Sequence, residues 1–209
     1  MTSDPWLLPL CQAAAATYSG SQPWFQNSMN TCQVYKSTIL GRPIYSFQGT
    51  KSFREWFVDF LALDVPFYQH RIVGPVHLGF WLDTLDAIAA IAADVAITKR
   101  PFLLTGHSKG AAEAVLAHVE LKSRGFYPLA TRCFEPPMVG TSQLSTFLAS
   151  DDIGWTQSFN VHGKDVVTLA PDWPEWEHQG MLTRLQVPDS CGIAQKHEIA
   201  AILAAAGAL

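Results

Sequence analysis

The chain has 209 residues, 48% of them hydrophobic, which is enough for one well-filled core and too little for two comfortable domains, so a single domain over residues 1–209 is expected. A net charge of −4, a pI near 5.9 and no run of more than two Lys or Arg exclude the electrostatic footprint of a nucleic-acid binder, and point to small or neutral partners. No stretch approaches the ~18 apolar residues of a membrane span. The start of the chain, with Asp4 and Pro5 and no basic segment, reads as no export signal, so a cytoplasmic location or export by an unmarked route is expected.

Residues 5–17 end in Ala13–Ala16 and predict a first helix, stopped by the Ser19-Gly20-Ser21 cluster. Cys32–Leu40 and Pro43–Phe47, rich in β-branched and aromatic residues, predict a hairpin turning at Gly41-Arg42. It leads into Gln48-Gly49-Thr50. Residues 52–63 follow as an aromatic amphipathic helix, with Phe53, Trp56, Phe57 and Phe60 on one face. Next comes a stretch holding Pro66, Gly74 and Pro75, which reads as irregular. Leu82, Leu85, Ile88, Ala92 and Val95 keep helical period over residues 80–95. Strands are expected at 102–104, 129–134, 158–161 and 181–187, with helices at 111–124, 141–149 and 193–206. Helices alternating with buried strands predict an α/β class, with a mostly parallel sheet covered on both faces.

Four cysteines (Cys11, Cys32, Cys133, Cys191) form no CxxC and no Cys/His pair with zinc-ligand spacing. Buried free thiols are expected, with one Cys11–Cys32 disulfide left open. Nothing implies a metal or a cofactor: there is no HExxH, no carboxylate cluster and no glycine-rich phosphate cradle.

The chemistry centres on Gly106-His-Ser108-Lys-Gly110, an apolar run leading in and a helix-forming run leading out. A strand reversing into a helix within a few residues leaves no room for β-carbons beside the turn, hence the glycines, and it should push Ser108 out, exposed on a strained bend. A serine needs a base oriented by an acid, and the hydrolase chain order after such a serine is Asp or Glu, then His. Asp165, in the His162-Gly-Lys loop after a predicted strand, sits where such folds present an acid. Asp151 and Asp152 precede that strand, Asp172 is a reserve and Asp189 reads as a turn residue. Among His162, His178 and His197, the last lies between the final strand and helix and is the preferred base.

Seven motifs in register then make the chain similar to the class 3 (fungal-type) lipase family, within the α/β-hydrolase superfamily. They are Phe47–Trp56 with Asp59, Val76–Phe80, Thr105–Gly110, Phe134–Gly140, Lys164–Pro171, His178–Gly180 and His197. The resemblance implies ester hydrolysis with Ser108 as nucleophile, Asp165 as acid and His197 as base, and an oxyanion hole from Thr50 and the Lys109 N–H. It also implies a short lid after Thr50, here reduced to a small aromatic cover of Phe53, Trp56 and Phe57, and transient contact with a lipid surface. Departures from the family pattern are Gln48 for the usual Arg, Lys109-Gly-Ala for Leu-Gly-Gly, and no aromatic after the last histidine. The Lys109 side chain is expected to turn away and pair with Glu113 at i+4.

The implied activity is serine carboxylic ester hydrolysis, a lipase or esterase acting on acylglycerol-like or other lipophilic esters. Phospholipase A1, feruloyl-type esterase or acyltransferase chemistry would use the same residues, and a catalytically silent scaffold would keep only the fold.

Overall fold

The computed structural model describes residues 4–50, 67–160, 163–165, 167–170, 174–187 and 197–208. The expected cover helix, with Phe53, Trp56, Phe57 and Phe60, lies outside them, as do His162, Asp172, Asp189 and Cys191.

Helix α1 (Leu7–Ala16) is followed by β1 (Phe25–Gln26), β2 (Gln33–Ile39) and β3 (Arg42–Phe47). Strands β2 and β3 form the expected hairpin, but the turn falls one residue earlier, at Leu40-Gly41 (φ 50° and 75°). A two-residue hairpin loop whose twist matches the strands needs positive φ at both positions, which a glycine supplies at one of them. Leu40 adopts it at the other, on the surface.

The expected irregular stretch contains a second hairpin, β4 (Phe67–His70) with β5 (Gly74–His77). Gly74 and Pro75 conceal it in the sequence. Gly74 (φ 73°) is the residue at which the chain enters β5, and Pro75 stands at the start of that short strand, where a missing N–H is tolerated. Helix α2 (Leu78–Thr98) comes next, capped by the His77 ring, which accepts the Phe80 N–H at 3.3 Å. Then follow β6 (Leu103–His107), α3 (Lys109–Ser123), β7 (Ala130–Phe134), β8 (Gly140–Thr141) and α4 (Ser142–Leu148).

Strand β9 (Ile153–Asn160) begins five residues before the expected 158. Gly154 disguised its start: a Cβ there would lie 3.1 Å from the Arg132 side chain, so the strand takes a glycine to let that side chain pass. Two short strands, β10 (Gly163–Lys164) and β11 (Trp176–Glu177), precede β12 (Met181–Gln186) and helix α5 (Ile199–Ala206).

The main sheet runs β1-β2-β3-β6-β7-β9-β10, with β12 also paired to β9. Its middle, β3, β6, β7, β9 and β12, is parallel throughout. A smaller antiparallel sheet has the order β11-β8-β5-β4. Successive strand residues face opposite sides. Leu103, Ile44 and Phe134 pack with α1 and α5, while Leu104, Tyr45 and Cys133 pack with α2 and α3. Helices cover both faces, as the α/β reading expected. Cys11 belongs to the first core and Cys32 to the second, both buried as free thiols, so the disulfide left open by the sequence does not form.

Two polar clusters account for the carboxylates ahead of β9. Arg132 binds Asp4 at 2.7 and 3.2 Å and Asp152 at 2.8 Å, tying the start of the chain to β7 and to the entrance of β9. Asp151 binds Lys122 at 2.8 Å and His118 at 3.2 Å.

Candidate active site

Between β6 and α3 the backbone reverses on one residue. Ser108 has φ 57° and ψ −128°, a conformation that residues with a Cβ rarely hold unless their surroundings impose it. Its N–H donates to the Phe134 carbonyl at 2.9 Å, and its own carbonyl accepts the N–H groups of Ala111 and Ala112. The flanking glycines are required by contact. A Cβ on Gly106 would stand 2.2 Å from the Gly110 carbonyl oxygen, and one on Gly110 would stand 2.2 Å from that of Phe47. Strand β3, strand β6 and the first turn of α3 therefore close up around the serine.

The bend does not leave Ser108 exposed, as the motif alone suggested; it is 3% accessible. The loop after β3 covers it, for a Cβ on Gly49 would be 3.2 Å from the Ser108 Cβ. Thr50 follows, half-buried, at the rim of a cavity of about 510 Å³ that Gln48, Asn30, Gln33 and Asp83 also line. The first N–H groups of α3, that of Lys109 foremost, have no intrahelical acceptor and sit at the positive end of the helix dipole. An anion forming above Ser108 would meet them.

The Lys109 side chain turns away from this point. Its ammonium binds the Thr31 carbonyl at 2.9 Å, Asp83 at 3.0 Å and the expected partner Glu113. Burial alone would lower its pKa, but the two carboxylates outweigh burial and hold it above the ordinary lysine value.

Asp165 follows β10, a two-residue strand folded back on β9 that the sequence showed only as loop. The side chain is fully buried, and its Oδ2 lies 2.5 Å from His197 Nδ1. Oδ1 accepts the Val167 N–H at 3.0 Å, and the fully buried Glu135 side chain interacts with the carboxylate as well. Burial pushes the Asp165 pKa up, yet these bonds outweigh it and keep the group below the usual carboxylate range.

His197 occupies the turn before α5, 3% exposed. Its ring is fixed through Nδ1 by Asp165, and its main chain by His107, whose Nε2 lies 2.7 Å from the His197 carbonyl oxygen. His107 is the residue immediately before Ser108, so the histidine and the serine share one anchoring point.

The alternatives are occupied elsewhere. His178 stacks on Trp155 (ring centroids 3.8 Å apart) and donates from Nε2 to the Thr168 carbonyl at 2.7 Å. Asp151 and Asp152 serve the ion pairs described above. Three further residues at this site escaped the sequence reading: Tyr18, His107 and Glu135. The last two stand inside quoted motifs, next to Ser108 and to Phe134, and their position there was the available signal. Tyr18 offered none.

The family description "Lipase (class 3)" matches residues 44–174 of the chain. No curated protein matches it. Among solved structures, the lipase from Rhizopus microsporus var. chinensis is 17% identical with a TM-score of 0.67, over 92% of this chain and 78% of that one. The triacylglyceride lipase of Rhizomucor miehei is 18% identical with a TM-score of 0.66, over 88% and 78%. A triacylglycerol lipase of Penicillium expansum is 15% identical with a TM-score of 0.69, over 91% and 84%. With the family match spanning well over half of its length and the mostly parallel, two-faced sheet of an α/β hydrolase beneath it, the chain belongs to the class 3 lipase family and is a lipase-type ester hydrolase.

Proposed function

We propose that the protein hydrolyses neutral lipophilic esters through an acyl-enzyme on Ser108, with His197 as base, Asp165 as acid and the N–H groups of Thr50 and Lys109 as oxyanion donors. One observation carries the reading: a fully buried carboxylate 2.5 Å from the Nδ1 of a histidine whose main chain is bonded to the neighbour of a strained serine. Nδ1–H donation to Asp165 leaves the lone pair on Nε2, the state in which an imidazole accepts a proton. His197 takes the Ser108 hydroxyl proton as Oγ attacks the ester carbonyl carbon. The carbonyl π electrons move onto oxygen, where the N–H groups stabilise them. Collapse expels the alcohol, which leaves with the proton from His197. Water repeats the sequence on the acyl-enzyme, releasing the acid and restoring Ser108.

The restriction to neutral esters follows from Lys109. Its ammonium is already neutralised by Asp83 and Glu113. An anionic headgroup would gain nothing there, which disfavours the phospholipase alternative.

A fluorophosphonate probe tests the reading directly. It should label the wild type and not Ser108→Ala. His197→Ala should lower kcat on p-nitrophenyl butyrate by about 10³-fold or more, while Asp165→Asn should be severe but incomplete, since Asp165 chiefly orients the ring. Labelling that survives in Ser108→Ala, or an active His197→Ala, would contradict it.

A further inference from the structure

Four segments distant in sequence meet behind Ser108: the end of α1, the loop after β3, the last residue of β6 and the turn before α5. The Tyr18 hydroxyl lies 2.9 Å from His107 Nδ1, and His107 Nε2 lies 2.7 Å from the His197 carbonyl. The same tyrosine oxygen packs against Gly49, so closely that a Cβ on Gly49 would be 2.3 Å from it. Ring packing reinforces the bonds. The His107 and His197 rings lie 4.8 Å apart at 37°, and Tyr18 meets His107 edge-on at 5.8 Å.

Chemistry gives this chain of bonds a single direction. A carbonyl oxygen only accepts, so His107 carries its proton on Nε2. His107 is buried, and burial drives its pKa down to about 3, so the ring is neutral and Nδ1 is an acceptor. Tyr18 therefore donates its hydroxyl proton to Nδ1, and its oxygen stays against Gly49, the residue before Thr50.

The Asp165 bond orients the His197 ring, and the His107 bond adds a fixed point on its main chain, supplied by the residue bonded covalently to Ser108.

Resting on the proposed function, we propose that His107 and Tyr18 are positioning residues for ester hydrolysis. His107 holds the base at a set distance from Ser108, and Tyr18 fixes the tautomer of His107 and ties the oxyanion loop to it. Neither touches substrate. Their loss should slow the chemical step and leave binding alone.

Two substitutions at one site separate positioning from packing. In His107→Gln the amide nitrogen can occupy the place of Nε2 and still donate to the His197 carbonyl. In His107→Asn the shorter side chain reaches only the place of Nδ1, and that donor is lost. With p-nitrophenyl butyrate, and concentrations set by fluorophosphonate titration of active sites, His107→Gln, which keeps the His197 bond but gives up the acceptor of Tyr18, should lose no more than about tenfold in kcat, whereas His107→Asn should lose about 100-fold or more, with KM within about twofold for both. Tyr18→Phe, an almost isosteric change, should lose about tenfold in kcat, again with KM unchanged. Melting temperatures, read alongside, report the folded fraction. Equal activities for His107→Gln and His107→Asn, a loss expressed in KM, or full activity in Tyr18→Phe would overturn the proposal. A wild type that hydrolyses no ester would sink the proposed function and this inference with it. An active wild type with indistinguishable variants would sink the inference alone.

Discussion

As the proposed nucleophile, Ser108 carries two demands that oppose each other, since that role needs its hydroxyl at the apex of the turn while a backbone at φ 57° and ψ −128° is one that a Cβ disfavours. Replacing it with glycine should relieve strain that replacing it with alanine retains. Ser108→Gly should thus melt higher than Ser108→Ala by the equivalent of about 1 kcal/mol, both being inactive, and equal melting temperatures would show that the turn is unstrained. At Lys109 the side chain works for stability alone. Lys109→Leu leaves Asp83 and the fully buried Glu113 without their cation, a loss of about 3 kcal/mol by analogy with other broken buried pairs. Burial already pushes the Glu113 pKa up to about 7, against an ordinary 4.5, even with the lysine beside it. Without the lysine it rises further, so the folded state binds a proton that the unfolded state lacks, and stability is lost as pH rises through that range. The melting difference between Lys109→Leu and wild type should then be larger at pH 8 than at pH 5. Activity on neutral and anionic esters should fall in parallel. A selective loss on anionic esters would show instead that Lys109 faces substrate.

At the scale of elements, the strand-to-helix elbow is a three-way contact rather than a turn. Gly110 belongs to α3, yet the atom that a side chain there would strike is the Phe47 carbonyl oxygen of β3, two residues before Gly49. Gly110→Ala should therefore act on two levels. It should lower the melting temperature by several degrees, since backbone has to shift, and it should lower kcat beyond the loss of folded protein, because the displaced strand carries the Gly49-Thr50 loop. Activity per folded molecule equal to wild type would disprove the coupling. The small antiparallel sheet and β10 are elements of the same kind, short and defined by their partners. Lys164 pairs with Phe159 and so turns Asp165 back toward the serine side of β9.

Across the whole molecule, acid should unfold the protein earlier than its carboxylates alone would predict. Burial lowers the pKa of His77 and His118 to about 4 and that of His107 to about 3, against 6.5 for an unfolded histidine. Between pH 6.5 and 4 the unfolded chain binds protons that the folded one refuses, so the stability is complete above 6.5 and drains away as pH falls, at about 1.4 kcal/mol per unit for each group. Glu113 works in the opposite sense over part of the same window, but it is one group against three. Melting temperatures should drop steeply from pH 6.5 to 4, and less steeply in His118→Gln. A flat profile would mean that these rings are protonated in the fold.

The glycine-flanked serine, the order serine, aspartate, histidine, and the helix that follows Ser108 were all legible in the sequence, because each is written in neighbouring residues or in a repeat of 2 or 3.6 positions. The same local code misled where glycine and proline stood inside strands, at Gly74-Pro75 and Gly154, since a breaker's meaning depends on what packs against it. The burial of Ser108 under Gly49, the interaction of Glu135 with Asp165, and the line from Tyr18 through His107 to His197 were decided by tertiary structure alone. These contacts join residues 30 to 90 positions apart across three strands and two helices, and no local pattern specifies which buried donor will find which acceptor once the sheet has closed.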